Sequence, residues 1–293
     1  MQEPPAQQIP GVYRRRIGDI VVTAISDGHV TVPVELLLGI PPAEAAALQR
    51  RAFQPVPPRL SINCFAVHSA GRLALIDTGA GSSMGDQPAG QLQQNLRAAG
   101  IAPEQVDTLI LTHMHPDHSN GMTGPDGLPR FPAAELVIAE AEVDHWHDDA
   151  ALQRAPARQQ ERFFMGARAQ IRPYMDRRRD SLGEVFPGVT AVPLPGHTPG
   201  HTGYLIASGD ASLLIWGDIV HVPDVQVPRP EAHAEPDCDP GAAIAQRRRV
   251  FEMVARDSLL VAGMHMHFPG FLRLTGDARQ GYALHPELWV QDP

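Results

Sequence analysis

Four apolar runs in this 293-residue chain each lead directly into a histidine or an aspartate. "TLILT" runs into His113, "VTAVPLPG" into His197, "SLLIWG" into Asp218 and "LLVAGM" into His265. Runs of this length and composition read as buried strands. In open α/β sheets, functional groups gather beyond the carboxyl ends of strands. A fold that lines up these four strand ends along one edge would bring the four polar residues together. The rest of the chain agrees with such a fold. Strand-like stretches at 19–28, 60–79, 134–140 and 202–208 mix with helical spacing at 91–101 and 241–256. That mixture, present in both halves, predicts stacked sheets covered by helices.

The stretch "THMHPDHSNG" (112–121) sharpens the expectation. Imidazoles this close repel one another once protonated and are costly to bury unless a positive charge holds them together. His113 and His115, two apart, can reach one ion from a turn. Asp117 and His118 point elsewhere, as if toward a second. His197 and His265 can add one ligand to each, and Asp218, with two oxygens, can bridge the pair. This makes a seven-ligand site for two divalent ions, with room for a bridging hydroxide. Histidine and carboxylate donors without cysteine suit zinc, and also manganese, iron or cobalt.

Bulk properties narrow the partners. The formal charge is −9, and the basic runs at 14–16, 177–179 and 247–249 are short. They read as solvated faces, so no nucleic-acid partner is expected. No run of eighteen apolar residues suggests a membrane span. The opening "MQEPPAQQIPGVYRRRIGD" has no apolar core of a signal peptide, which favours a cytoplasmic location. Cys64, in "INCFAV", reads as a core thiol; Cys238, in "AEPDCDPG", as a loop residue. The prolines are scattered rather than gathered into a linker, so one domain is expected over 1–293. Within it, about 141–180 is polar, helix-like and studded with bulky side chains.

"THMHPDH", "GHTPGH", a strand-end "GD" and a late "GMH" resemble, in this order, the metallo-β-lactamase superfamily. The resemblance runs from "LIDTG" through "MHMHFPG". "GDIVHVPDVQV" and "MHMHFPGF" are most similar to the methyl parathion hydrolase-like branch, which holds lactonases, aryl-ester hydrolases and organophosphate hydrolases. The resemblance implies an αββα sandwich with the metals where the two sheets meet. It assigns His113, His115 and His197 to one ion, Asp117, His118 and His265 to the other, and Asp218 to the bridge. His265 is chosen over His267 because the family's ligand directly follows the strand. Asp77 matches a residue supporting the metal loop, and His201 is expected to brace its own loop. Aromatics of the helical insertion are expected to line the substrate pocket, above all Trp146, with Phe163 and Phe164. His221, three residues beyond Asp218, either joins that pocket or caps a turn.

The mechanism implied is attack by a bridging hydroxide on the carbonyl of a lactone or aryl ester, with Asp117 or Asp218 accepting the proton. No serine nucleophile is needed for this route. An organophosphate phosphotriesterase is the alternative. A β-lactamase is disfavoured by Asp218 and the missing export signal, a glutathione thioesterase by the C-terminal sequence, and a nuclease by the acidic balance. A homodimer is implied by the resemblance alone.

Overall fold

The computed structural model describes residues 4–6 and 8–293. The first half begins with β1 (Val12–Ile17), β2 (Ile20–Thr31), β3 (Leu37–Leu38) and α1 (Pro42–Arg51). Then come β4 (Arg59–Ser69), β5 (Arg72–Ile76), α2 (Leu92–Ala98), β6 (Thr108–Ile110), α3 (Pro116–Ser119) and β7 (Glu135–Val137). A helical stretch follows: α4 (Glu140–His147), α5 (Asp149–Arg154), α6 (Ala157–Gln159), a π-helical turn (Gln160–Met165) and α7 (Gly166–Ile171). A 3₁₀ turn (Arg172–Arg177) leads into β8 (Arg178–Arg179).

The second half contains β9 (Glu184–Phe186), β10 (Val189–Pro193), β11 (Thr202–Ser208) and β12 (Ala211–Ile215). It ends with α8 (Pro223–Gln226), β13 (His233–Ala234), α9 (Pro240–Arg256), β14 (Leu260–Ala262), β15 (Phe271–Asp277) and β16 (Gly281–Pro286).

Two seven-stranded sheets result, in the orders β1-β2-β4-β5-β6-β7-β8 and β16-β15-β14-β12-β11-β10-β9. They pack face to face over a core that includes Val22, Phe65, Val67, Ile110 and Val137 from one sheet and Tyr204, Ile206, Leu213 and Ile215 from the other. The outer face of the first sheet buries Leu75, Leu109 and Leu136 against Leu96 of α2 and Trp146 of α4. The outer face of the second buries Leu214 and Val261 against Val250, Phe251 and Val254 of α9. The architecture is therefore αββα. Covering on both faces explains why β4, β5 and β6 read as continuous apolar runs rather than alternating ones. Each fully buried aliphatic or phenyl side chain contributes about 1.5–3 kcal/mol.

α9 shows how local signals set an element. Asp239 caps it by accepting from Ala242 N at 2.9 Å, and Pro240 fills the first turn, where its missing N–H costs nothing. Its buried face corrects one expectation. Arg247, in the third basic run, is 1% exposed rather than solvated. Its guanidinium donates to the carbonyls of Ile219 (2.6 Å), Pro230 (2.9 Å) and Ala232 (2.6 Å), tying α9 to the loop that carries His221. Burial lowers its pKa to about 10, still far above neutrality. Among the described residues no helix is long and apolar enough to cross a membrane.

Candidate metal centre

The ends of β6, β10, β12 and β14 open on one edge of the sandwich. After β6 the chain alternates. His113 turns toward this edge, Met114 turns back into the core, and His115 precedes α3 with extended backbone before Pro116 starts the helix. The first turn of α3 then presents Asp117 and His118. His113 Nε2, His115 Nδ1 and His197 Nε2 form a triangle with sides of 3.1, 2.9 and 3.2 Å. Nitrogens bound 2.0–2.1 Å from one tetrahedral ion stand roughly 3.3 Å apart, close to this spacing.

A second group lies beside it. His118 Nε2 and His265 Nε2 are 3.8 and 3.6 Å from Asp117 Oδ2, and 3.3 and 3.1 Å from Asp218 Oδ2. Asp218 Oδ2 also lies 3.7 Å from His113 Nε2 and 3.4 Å from His197 Nε2, so one carboxylate oxygen faces both groups. Among the described residues, His118 Nε2 and Asp218 Oδ1 are buried without a hydrogen-bond partner. Unsatisfied buried donors and acceptors are costly, and those that converge mark a place for a bound ion. The donor set of imidazole nitrogens and carboxylate oxygens fits divalent ions of the zinc type.

The electrostatics agree. Burial alone would raise the Asp218 pKa, but the surrounding imidazoles, led by His118 and His265, hold it well below the usual carboxylate range. Burial and neighbouring rings hold His113 and His115 well below ordinary histidine, so both stay neutral donors. Burial also opposes charge on His118, yet Asp218, Asp117 and Asp77 outweigh it and push that imidazole well above its ordinary value.

A second layer pins the outward nitrogens. His118 Nδ1 meets Asp77 Oδ2 at 2.7 Å, His197 Nδ1 meets Asp237 Oδ1 at 2.6 Å, and His265 Nδ1 donates to Ser61 O at 2.7 Å. Asp77 itself has φ +58°, a strained left-handed conformation for an aspartate. It is held there by Thr112 N and Thr112 Oγ1, at 2.8 and 2.7 Å. His201 donates to Leu194 O and accepts from Asp218 N, each at 2.9 Å, so it positions the Asp218 loop. Gly217, with φ +58°, is required beside it, because a Cβ there would stand 2.3 Å from His201 Nε2.

All seven expected ligands thus converge, and His267 instead faces outward, paired with Asp224. A cavity of about 310 Å³ opens over them. Of the four expected wall residues, Phe163 and His221 line it. Trp146 and Phe164 do not, which corrects the expectation placed most firmly on Trp146. Trp146 is 1% exposed, and its indole N–H donates to Glu142 Oε1 at 2.6 Å. Phe164 packs on it, ring centroids 4.8 Å apart. α4 turns Glu142, Val143 and Trp146 inward as one face, so Trp146 stands behind His115 rather than in front of it.

Two supporting acids were not anticipated. Glu142 is buried, has no cationic partner among the described residues, and accepts from Met114 N, Trp146 Nε1, Thr198 Oγ1 and Gly200 N. Asp237 binds His197 and the Ala234 N–H. Nothing in the local sequence marks either; both sit in stretches of ordinary helix or loop composition. The opposite cavity wall was also missed. It is formed by Val30 of β2, Leu60 of β4, Val32 and Leu36 of the β2–β3 connection, and Leu37 of β3, which pairs with β13.

Comparison with known proteins adds an independent line. The family described as "Metallo-beta-lactamase superfamily" matches residues 57–265. The solved structure "hydrolase AbOPH in beta lactamase superfamily" is 32% identical, with TM-score 0.90, covering 97% of this chain and 100% of that one. AidC, a dizinc quorum-quenching lactonase solved with a product, is 23% identical with TM-score 0.88, covering 96% of this chain and 99% of the other. The uncharacterised protein YobT of Bacillus subtilis is 25% identical over 168 residues, 55% of this chain and 66% of that protein. The match thus spans just under two thirds of YobT.

Proposed function

The chain belongs to the metallo-β-lactamase superfamily, and from that premise we propose that it is a two-metal hydrolase of lactones or aryl esters. One observation carries the reading: a nitrogen triangle and an Asp117–His118–His265 group share one oxygen of Asp218 at the floor of a largely apolar cavity. Two divalent ions bound there would polarise a carbonyl and lower the pKa of water at the centre. His113, His115 and His197 would hold one ion, Asp117, His118 and His265 the other, with Asp218 between them. Asp77, Asp237 and Ser61 fix the imidazole orientations, so the donors need no reorganisation on binding. Asp117 is the better proton acceptor of the two acids, because its side chain is 18% exposed toward the cavity and that of Asp218 only 2%. The methyl parathion hydrolase-like branch remains the proposed placement within the family.

His221 favours esters over phosphotriesters. It is 6% exposed, and its Nε2 stands 3.2 Å from Asp218 Oδ2. A planar lactone or ester passes beside this ring more easily than a phosphorus centre carrying four substituents. The test is a paired rate assay on zinc-loaded protein, comparing an aromatic lactone with a p-nitrophenyl dialkyl phosphotriester, with chelated protein as control. A lactone kcat/KM higher by about a hundredfold, roughly 2.7 kcal/mol of discrimination, is expected. Equal or reversed rates would assign the site to phosphotriesters. No turnover of either, with two ions bound, would overturn the reading.

A further inference from the structure

The cavity wall facing the apolar side contains an unpaired cation. Arg162 lines the cavity from the π-helical turn, and the exposed Arg158 lines it one turn earlier. Among the described residues, neither guanidinium is paired with a carboxylate, and Arg162 Nε is buried with no hydrogen-bond partner. Among the described residues, the one polar contact of Arg162 is from Nη2 to the thioether sulfur of Met84, a weak acceptor. Arg15 and Arg168 also leave one buried nitrogen unpartnered, but each has a strong acceptor that Arg162 does not: Arg15 has Glu287, and Arg168 has Asp149 and the Trp146 carbonyl. The π-helical turn matters here. A π turn adds a residue to the helical repeat and re-aims the side chains around it, and such turns recur at functional sites. This one places Arg162 and Phe163 together on the cavity side.

A guanidinium seeks planar oxygen acceptors, and it binds a carboxylate through two parallel hydrogen bonds. We propose that Arg162 is a specificity-determining residue, and that the substrate carries an anionic oxygen group, such as a carboxylate, at the end remote from the scissile bond. Arg158 adds positive potential. The apolar chain between the two ends lies against Val32, Leu36 and Leu60. This inference rests on the hydrolase reading for which bond is cut, but not for what the cavity binds.

Binding and turnover therefore test the two readings separately. The binding probes are anilides of linear acids, matched in length, ending either in a methyl group or in a carboxylate. Three chain lengths are titrated by calorimetry into zinc-loaded protein. In the wild type, at least one carboxylate-ended anilide is expected to bind about tenfold more tightly than its neutral match, about 1.4 kcal/mol. Arg162→Met should reduce that ratio to within twofold, and Arg162→Lys should restore part of it. Arg154→Met, the same charge change outside the cavity, should keep it. Unchanged melting and zinc content would show that the variants fold. No preference at any length, or a preference that survives Arg162→Met, overturns the proposal. The matching p-nitrophenyl esters then test the hydrolase reading. Carboxylate preference in binding without ester turnover keeps Arg162 and overturns the ester assignment. Turnover without the preference does the reverse.

Discussion

The floor and the walls of the cavity are built on opposite principles. On the floor, most donors are buried and held from behind: His118 by Asp77, His197 by Asp237, His265 by the Ser61 carbonyl. The walls come largely from irregular segments, the β2–β3 connection, the helices after β7 and the loops around Val222 and Glu235, with Val30 and Leu60 added from the first sheet. There, among the described residues, Arg162 Nε has no hydrogen-bond partner, and Leu36 is 36% exposed. A metal needs particular atoms at fixed distances, so the floor tolerates little. A substrate chain needs only shape and a few polar contacts, so the walls are free to vary. Substitutions in the floor should therefore lower metal content and rate together, and those in the walls should move selectivity alone.

The largest effect is expected at the shared carboxylate. Asp218→Asn keeps the shape but weakens the bridge between the two ligand groups. Loss of a few kcal/mol of charge stabilisation predicts a fall in kcat of about a thousandfold. Elemental analysis should show fewer than two zinc ions per chain. Two bound ions with activity within tenfold of wild type would remove Asp218 from the bridge.

Next comes Glu142, behind the floor. Glu142→Ala strands four buried donors at once, among them the amides of Met114, between two ligands, and Gly200, just after a third. Urea unfolding should show a loss of about 3 kcal/mol or more. Zinc affinity should fall about 10–100-fold, as for other supports of metal ligands. Gly200 sits so close that a Cβ would meet Glu142 N at 2.3 Å, so the loop has little room to relax. A stable variant with unchanged zinc affinity would reduce Glu142 to ordinary packing.

A third test reads the same support through pH. Burial would raise the Asp237 pKa, but His197 outweighs it and lowers the group from 3.8 to about 2. A carboxylate depressed in the folded state stabilises fully above its unfolded value and loses that contribution as pH falls through the folded one. The window is thus pH 3.8 down to about 2, worth about 2 kcal/mol in the metal-free protein. Asp237→Asn should be less stable than wild type at pH 6, and the gap should close toward pH 2. A gap independent of pH would show that Asp237 does not act through its charge.

These supports also mark where the sequence stops being readable. The converging side chains were legible because four of them follow apolar strands, the other three crowd into the stretch 112–121, and four short motifs occur in one order. The sandwich was legible because continuous apolar runs require cover on both faces. Glu142 and Asp237 were not, since each meets its histidine loop only through folding and has no neighbour in sequence that signals the role. Trp146 was misread for a related reason. Its bulk and position in the helical stretch suggested a pocket, but the pull of Glu142 on its N–H turned it inward. Arg247 was misread because three arginines in a row resemble a solvated face, whereas three carbonyls were waiting inside the fold.

The smallest effect tests the walls. Leu36 lines the cavity just before β3 and is 36% exposed. Leu36→Ala should therefore change stability by no more than about 0.5 kcal/mol. It removes apolar surface that a substrate chain would cover, worth about 1 kcal/mol at most. KM for the longest acyl chains should rise by about fivefold, the factor equivalent to that energy, while kcat and zinc content stay at wild-type values. Because the effect depends on the chain reaching Leu36, it should fade as the acyl chain is shortened. A loss equal for all chain lengths, or one accompanied by loss of zinc, would mean that wall and floor are coupled, and the division between them would fail.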